Sequence, residues 1–114
     1  MTEPSHRGPT AHRLPVDEIT PLTERSFLIS FAVPDELQGT YRFTAGQHIM
    51  INQRVDDRVE RRAYSICTTP TELVETGVFS VGVKILPGGR FSERVRDHLA
   101  VGDRLSVTTP TGRF

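Results

Sequence analysis

The stretch Phe79-Ser80-Val81-Gly82-Val83-Lys84-Ile85 carries the most regular pattern in this chain. Its large apolar side chains recur at every second residue, so in an extended strand all four of them project to one face. Pro87-Gly88-Gly89 then ends the strand, because proline and glycine favour turns. The alternation predicts a strand with one face against a core and the other directed outward.

The same alternation recurs in shorter runs along the chain. Apolar residues alternate from Phe27 to Val33, where Pro34-Asp35 stops the strand. Further runs lie at Ile49 and Ile51, from Val59 to Thr68, and at Leu105 and Val107. Short alternating runs separated by Pro, Gly and Asp are typical of an antiparallel barrel. From His12 onward, the pattern predicts about six such strands.

One segment changes period. Phe91, Val95 and Leu99 recur every four residues, as one apolar stripe of a helix does, and Gly102 is a plausible helix stop. The predicted fold class is therefore all-β: a six-stranded antiparallel Greek-key barrel with one short capping helix over its open end.

Length and composition limit the function classes. The chain has 114 residues, enough for one domain, and a formal net charge of +0, so no global field attracts it to nucleic acid or to a membrane. Residues 1–11 are polar and hold two prolines, which predicts a disordered tail before a barrel domain over residues 12–114. This tail has the apolar run of neither a secretory signal nor a membrane span.

The cysteine and histidine content argues against a metal or disulfide scaffold. Cys67 is the only cysteine, so the chain closes no internal disulfide and supplies no four-thiolate iron–sulfur site. A reducing, cytoplasmic location fits this content. We interpret Cys67 as a small buried apolar residue. The four histidines are scattered without the spacing of a metal site.

Arg62-Ala63-Tyr64-Ser65 is the first candidate site. In a strand, Arg62 and Tyr64 share one face and Ala63 and Ser65 the other. A guanidinium binds diphosphate oxygens bidentately, and a tyrosine ring two residues on packs against a flat heterocycle from the same face. Taken alone, the same residues also suit a solvated arginine beside an ordinary barrel aromatic.

The second candidate site runs from Lys84 to Ser92. Gly88, Gly89 and Ser92 fall at the start of the predicted helix, where free backbone N–H groups and the helix dipole favour an anion. The alternative is a tight turn in which Ser92 is a simple N-cap.

With both motifs in order, the chain resembles the flavin-binding half of the ferredoxin-NADP reductase family, over residues 12–114. Phe43-Thr44-Ala45-Gly46-Gln47-His48 and Pro110-Thr111-Gly112-Arg113-Phe114 also match family segments, although Ala45 stands where proline is usual. Within the family, the motifs resemble those of the reductase components of bacterial oxygenases, including that of phenylacetyl-CoA epoxidase.

The resemblance implies FAD as cofactor and gives each motif residue a role. Arg62 is expected to pair with the pyrophosphate, Tyr64 to pack on the isoalloxazine or ribityl group, and Ser65 to hydrogen-bond near N5. Tyr64 and Ser65 are thus the catalytic candidates, and Ala63, between Arg62 and Tyr64, belongs to the cofactor-binding motif. Further expected FAD contacts are Val83, Lys84 and Ile85 through backbone groups, and Gly88, Gly89, Arg90, Phe91 and Ser92 at the phosphates.

The resemblance also implies an electron-transfer function. Hydride passes from NAD(P)H to the flavin, and electrons then leave singly to a 2Fe-2S centre that serves an oxygenase component. The nicotinamide-binding and ferredoxin domains of such a reductase are not recognised in this chain, so we expect a flavin domain with little turnover alone. Three alternatives stay open: a cofactor-free barrel that binds protein or nucleic acid, a barrel that holds FMN, and a related reductase of the same fold that serves another oxygenase or a flavohaemoglobin.

Overall fold

The computed structural model describes residues 10–55, 57–86, 93 and 97–112. The elements that are described throughout are six strands, one α-helix and a 3-10 turn at Asp35–Leu37; Glu93, Asp97 and His98 are also helical. The elements are β1 (Ala11–Thr23), β2 (Ser26–Ala32), β3 (His48–Val55), β4 (Arg58–Ser65), α1 (Pro70–Thr76), β5 (Val78–Lys84) and β6 (Arg104–Thr108). The all-β prediction is confirmed.

The six strands form one sheet in the order β4-β3-β6-β1-β2-β5, and every neighbouring pair is antiparallel. The long strand β1 pairs with β6 through Ala11–Pro15 and with β2 from Val16 onward. The register of β1 against β2 shifts between Val16 and Glu18, and such irregularities bend a strand. The curled sheet brings its two edge strands together, where Ile66, just after β4, bridges Val81 of β5.

The core lies inside this curl. The large apolar side chains that alternate along β2 and β5 are buried as predicted, and Ile85 packs partly against them. Fully burying such a side chain contributes about 1.5–3 kcal/mol. Tyr41 is also fully buried, stacks on Phe79 with ring centroids 6.0 Å apart, and donates its hydroxyl to the Val107 carbonyl at 2.6 Å.

Helix α1 was not predicted from the sequence. Thr69 caps it by accepting a hydrogen bond from the Glu72 amide, and the Glu72 side chain accepts from the Thr69 amide. Pro70 stands in its first turn, and Gly77 ends it in a left-handed conformation. These are strong start and stop signals, but a helix of 7 residues is too short to show a clear apolar period.

The predicted helix near residue 91 is only partly covered by the structure. Phe91 and Val95 lie outside the described residues, whereas the backbone at Asp97 and His98 is helical and Leu99 packs against the core. No helix within the described ranges is long and apolar enough to cross a lipid bilayer.

The interpretation of Cys67 as a buried residue is wrong. Cys67 is exposed, because its neighbour Ile66 turns into the core and consecutive side chains of an extended segment point to opposite faces. The Cys67 amide donates to the Ser80 carbonyl at 2.8 Å. This bond fixes the segment after β4 alongside β5.

Candidate functional site

The two edge strands diverge from the point where they meet. The Ile66–Val81 bridge is isolated, and β4 and β5 stand at opposite ends of the strand order. If the bridge register continued, Tyr64 would lie opposite Val83 and Arg62 opposite Ile85. Among the described residues no further β4–β5 pair follows this bridge, and the space between Arg62–Ser65 and Val83–Ile85 is here called the β4–β5 gap. The first motif and the start of the second, which are distant along the chain, therefore lie on the two edge strands that meet at this bridge.

The side chains on the inward face of β4 become more exposed from Ile66 to Arg62. Arg62 and Tyr64 pair with Ile51 and Ile49, so they share the inward face of the sheet. Ile66 is buried, Tyr64 is half-buried against the core, and Arg62 is exposed. The Tyr64 ring thus lies where the core meets the gap.

The Arg62 guanidinium is held in place from its own strand. Its Nη2 lies 2.7 Å from Glu60 Oε1, and its Nη1 donates to the Arg61 carbonyl at 3.1 Å. Because the Arg62 side chain is 48% exposed, this ion pair adds little to stability. Arginine has five N–H donors, so the guanidinium retains donors that an anion in the gap can bind.

Tyr64 stays neutral at physiological pH. Burial raises the pKa of Tyr64 to about 12, and the nearby positive charge of Arg62 opposes this rise. The cationic head of Arg62 is therefore close enough to act on the Tyr64 phenol. A neutral aromatic ring beside a guanidinium suits a ligand that joins a flat heterocycle to phosphate.

Strand β5 contributes backbone at its open edge. Ile85 donates its amide to the Arg25 carbonyl at 2.6 Å, on the side of β2, whereas the Ser80 backbone bonds with Cys67 and Thr68 on the other side. Alternate residues of a strand direct their amides to opposite edges, so the Lys84 backbone points toward the gap as that of Ser80 does. The Val83 side chain is buried at 1% exposure and serves the core.

Two further motifs meet beside Ser65. Ser65 pairs with His48, and His48 exchanges backbone hydrogen bonds of 3.0 and 2.9 Å with Thr111. Gln47 Nε2 donates to the Gly112 carbonyl at 3.0 Å. The structure thus places His48, which the sequence did not connect with the flavin motif, next to Ser65. His48 belongs to Phe43-Thr44-Ala45-Gly46-Gln47-His48, one of the matched family segments.

The remaining predicted phosphate contacts cannot be placed. Gly88, Gly89, Arg90, Phe91 and Ser92 lie outside the described residues. Within the described ranges, no three His, Cys, Asp or Glu side chains lie together as metal ligands would. The described half of the site is a guanidinium, a neutral aromatic ring and an open strand edge, which fits the diphosphate and flat ring of a flavin dinucleotide.

The fold and this site define a ferredoxin reductase-type flavin barrel. The oxidoreductase FAD-binding domain family matches residues 13–114, and the chain belongs to this family. One component of the 1,2-phenylacetyl-CoA epoxidase from Escherichia coli is 41% identical to it over 92% of this chain. The carnitine monooxygenase reductase of the same organism is 27% identical over 87% of the chain.

A solved structure agrees with these relatives. The Amycolatopsis cytochrome P450 reductase GcoB superimposes over 94% of this chain with a TM-score of 0.73 and 26% identity. The chain covers 28% of the epoxidase component, 30% of the carnitine monooxygenase reductase and 30% of GcoB. It therefore spans less than a third of each of these proteins.

Proposed function

We propose that this FAD-binding domain serves a reductase that takes hydride from NAD(P)H and passes electrons singly to an iron–sulfur centre of an oxygenase system. The observation that carries the proposal is the meeting of edge strands β4 and β5 at Ile66 and Val81, which sets Arg62 and Tyr64 on one side of the β4–β5 gap and the Lys84 backbone on the other. The similarity to a component of phenylacetyl-CoA epoxidase and to a carnitine monooxygenase reductase supports the assignment to an oxygenase.

In this proposal, the residues of the gap bind and orient the cofactor. Arg62 holds the pyrophosphate by paired N–H···O bonds, and Tyr64 packs its neutral ring on the isoalloxazine or ribityl group. Ser65, exposed and next to Tyr64, donates its hydroxyl near flavin N5. Bound FAD itself supplies the hydride acceptance and the one-electron release. Residues 88–92 complete the phosphate contacts.

The partners follow from the same assignment. A nicotinamide-binding domain delivers hydride, a 2Fe-2S ferredoxin domain accepts electrons, and an oxygenase component of the phenylacetyl-CoA epoxidase kind uses them. The barrel occupies residues 12–114, and a cytoplasmic location fits the single cysteine. By itself, the chain is expected to show little NAD(P)H-dependent turnover, and a high steady-state reductase rate from it would contradict this division of labour.

The cofactor assignment is tested by reconstitution. The purified chain is incubated with excess FAD and desalted, its visible spectrum is recorded, and the released cofactor is identified by chromatography. We expect flavin bands with near-equimolar FAD, and a loss of affinity of roughly tenfold or more in Arg62→Ala, since a charge-assisted hydrogen bond contributes about 1.5–3 kcal/mol.

Arg61→Ala is the matched control. Arg61 lies next to Arg62 but on the opposite face, where its Nε donates to Asn52 Oδ1 at 2.8 Å. This variant removes the same charge and is expected to retain FAD. A folded but colourless chain, or equal losses in the two variants, would contradict the site.

A further inference from the structure

Strands β3 and β6 separate soon after they pair. Their described ladder has two pairs, Ile51 with Val107 and Asn52 with Ser106. Beyond Asn52, the strands enclose a cavity of about 370 Å³, here called the β3–β6 cleft, between Gln53–Arg54 and Arg104–Leu105. His98 and Leu99 line its further side. This volume is at the lower end of the range of small-molecule sites.

The cleft concentrates positive charge in a chain of zero net charge. Arg13 of β1, Arg54 of β3 and Arg104 of β6 all line it. Arg13 Nη2 donates to the Arg104 carbonyl at 3.4 Å, which keeps the Arg13 guanidinium beside β6. In the described part of the chain, none of the three arginines forms an ion pair. Three arginines that line one cleft, against a single carboxylate among its described lining residues, attract an anion.

The acidic residue of the cleft is engaged elsewhere. Asp103 lines the cleft, but its Oδ2 accepts a hydrogen bond from the Ala100 amide at 2.9 Å and so stabilises its own turn. The cleft therefore keeps an excess of positive charge among its described residues. Guanidinium forks match phosphate oxygens bidentately, and the two charges of a phosphate dianion suit a site with more than one guanidinium.

The floor of the cleft is fixed and partly apolar. Asn52 Nδ2 donates to Ser106 Oγ at 3.2 Å, which joins the last paired residues of the two strands. Leu99 and Leu105 contribute apolar atoms to its lining. An apolar surface below several cations suits a ligand with an organic body and a charged head.

We propose that the β3–β6 cleft binds a small organic phosphate of about mononucleotide size. Strand β3 lies between β4 and β6 in the sheet, so the cleft is on the other side of β3 from the β4–β5 gap. Arg62, which faces that gap, does not line the cleft. The ligand is therefore distinct from the FAD of the flavin site.

The proposal is tested by NMR titration of the 114-residue chain with adenosine monophosphate at constant ionic strength. We expect saturating amide shifts centred on Arg13, Arg54, His98 and Arg104. Arg54→Gln and Arg104→Gln are each expected to weaken binding roughly tenfold, because each removes a charge-assisted contact. Both residues are exposed, so the variants are expected to fold.

Two control variants locate the binding. Arg25→Gln removes an exposed charge at the β1–β2 turn, and Arg62→Gln removes the cation of the flavin site; both are expected to leave the cleft affinity unchanged. Shifts confined to the β4–β5 gap and lost in Arg62→Gln would overturn the proposal. Shifts that never saturate, or that persist in Arg54→Gln and Arg104→Gln, would overturn it as well.

Parallel titrations with inorganic phosphate and citrate define the ligand class. Tighter binding of adenosine monophosphate than of either anion supports an organic phosphate. Equal binding of inorganic phosphate would overturn the role of the organic body. Tighter binding of citrate would overturn the assignment to phosphate in favour of a polycarboxylate.

Discussion

Glu60 and Arg62 form an ion pair along strand β4, with 2.7 Å between Oε1 and Nη2. Residues two apart in a strand share a face, so this carboxylate stands on the side of the sheet where the diphosphate is proposed to bind. The Glu60 carboxylate thus orients the Arg62 guanidinium and offsets part of its positive charge. If Arg62 binds the diphosphate as proposed, flavin affinity is expected to depend on Glu60, a residue that no motif contains.

Glu60→Gln is expected to bind FAD several-fold more tightly at low salt, because it removes a negative charge beside the proposed pyrophosphate position. The gain should shrink as ionic strength rises, since an exposed charge is screened. Flavin fluorescence titrations at two salt concentrations measure both effects. Glu18→Gln, on the exposed side of β1, is the matched control. Weaker binding in Glu60→Gln would mean that Glu60 acts mainly by orienting Arg62.

The two tyrosines are expected to resist ionisation. Burial raises the pKa of Tyr41 and of Tyr64 to about 12, against an ordinary value of 10.0. The neutral phenols thus favour the folded state, and this contribution is complete below pH 10 and is lost as pH rises toward 12. The slope over that window approaches roughly 1.4 kcal/mol per pH unit for the fully buried Tyr41, and it is smaller for the half-buried Tyr64 because solvent screens its charge.

Spectrophotometric titration checks this expectation. Tyrosinate absorbance should be small at about pH 10.5 and should appear with unfolding near pH 12, as followed by circular dichroism. Half-ionisation of either tyrosine near pH 10 in the folded chain would contradict the burial argument.

Tyr41→Phe is expected to lower the free energy of unfolding by about 1–2 kcal/mol. The substitution keeps the ring on Phe79 but removes the hydroxyl that donates to the buried Val107 carbonyl at 2.6 Å. Urea denaturation with an unchanged slope measures the loss. An unchanged midpoint would show that the carbonyl finds another donor.

Gly112→Ala is expected to destabilise the edge beside Ser65. Gly112 has φ of 98°, and a Cβ there would lie 2.8 Å from His48 Nδ1. Strain at positive φ costs about 1–2 kcal/mol, and displacement of the His48 ring adds to it. Thermal unfolding and FAD affinity together report the effect.

Substitutions at two other glycines separate the backbone strain in Gly112→Ala from the steric clash with His48. Gly102 has φ of 97° with open space around its Cβ position, so Gly102→Ala reports backbone strain alone. Gly39 has neither a positive φ nor a near neighbour, so Gly39→Ala should not destabilise. If Gly112→Ala costs no more than Gly102→Ala, the His48 contact contributes nothing.

The sequence predicted elements well where a single face is buried. The alternation in β2 and β5 was sufficient, because period-two burial is a property of the strand itself. The apolar pattern did not predict helix α1, because its 7 residues are too few to show a period. Its capping residues Thr69, Glu72 and Gly77 are nevertheless visible in the sequence. The burial of Cys67 was also predicted wrongly, because the exposure of its thiol depends on the direction in which Ile66 enters the core.

The sequence by itself determined strands β2 to β6, the face of β4 that Arg62 and Tyr64 share, and the resemblance to a flavin-binding family, but it did not locate β1 (Ala11–Thr23). Only the tertiary structure decided that β4 and β5 become the two edges that meet at Ile66 and Val81, and that β3 and β6 part beside Arg54 and Arg104. Side-chain alternation is local, whereas a strand's hydrogen-bonding groups can pair with any other strand. The curl of the whole sheet determines which strands are neighbours, and therefore where the β4–β5 gap and the β3–β6 cleft lie.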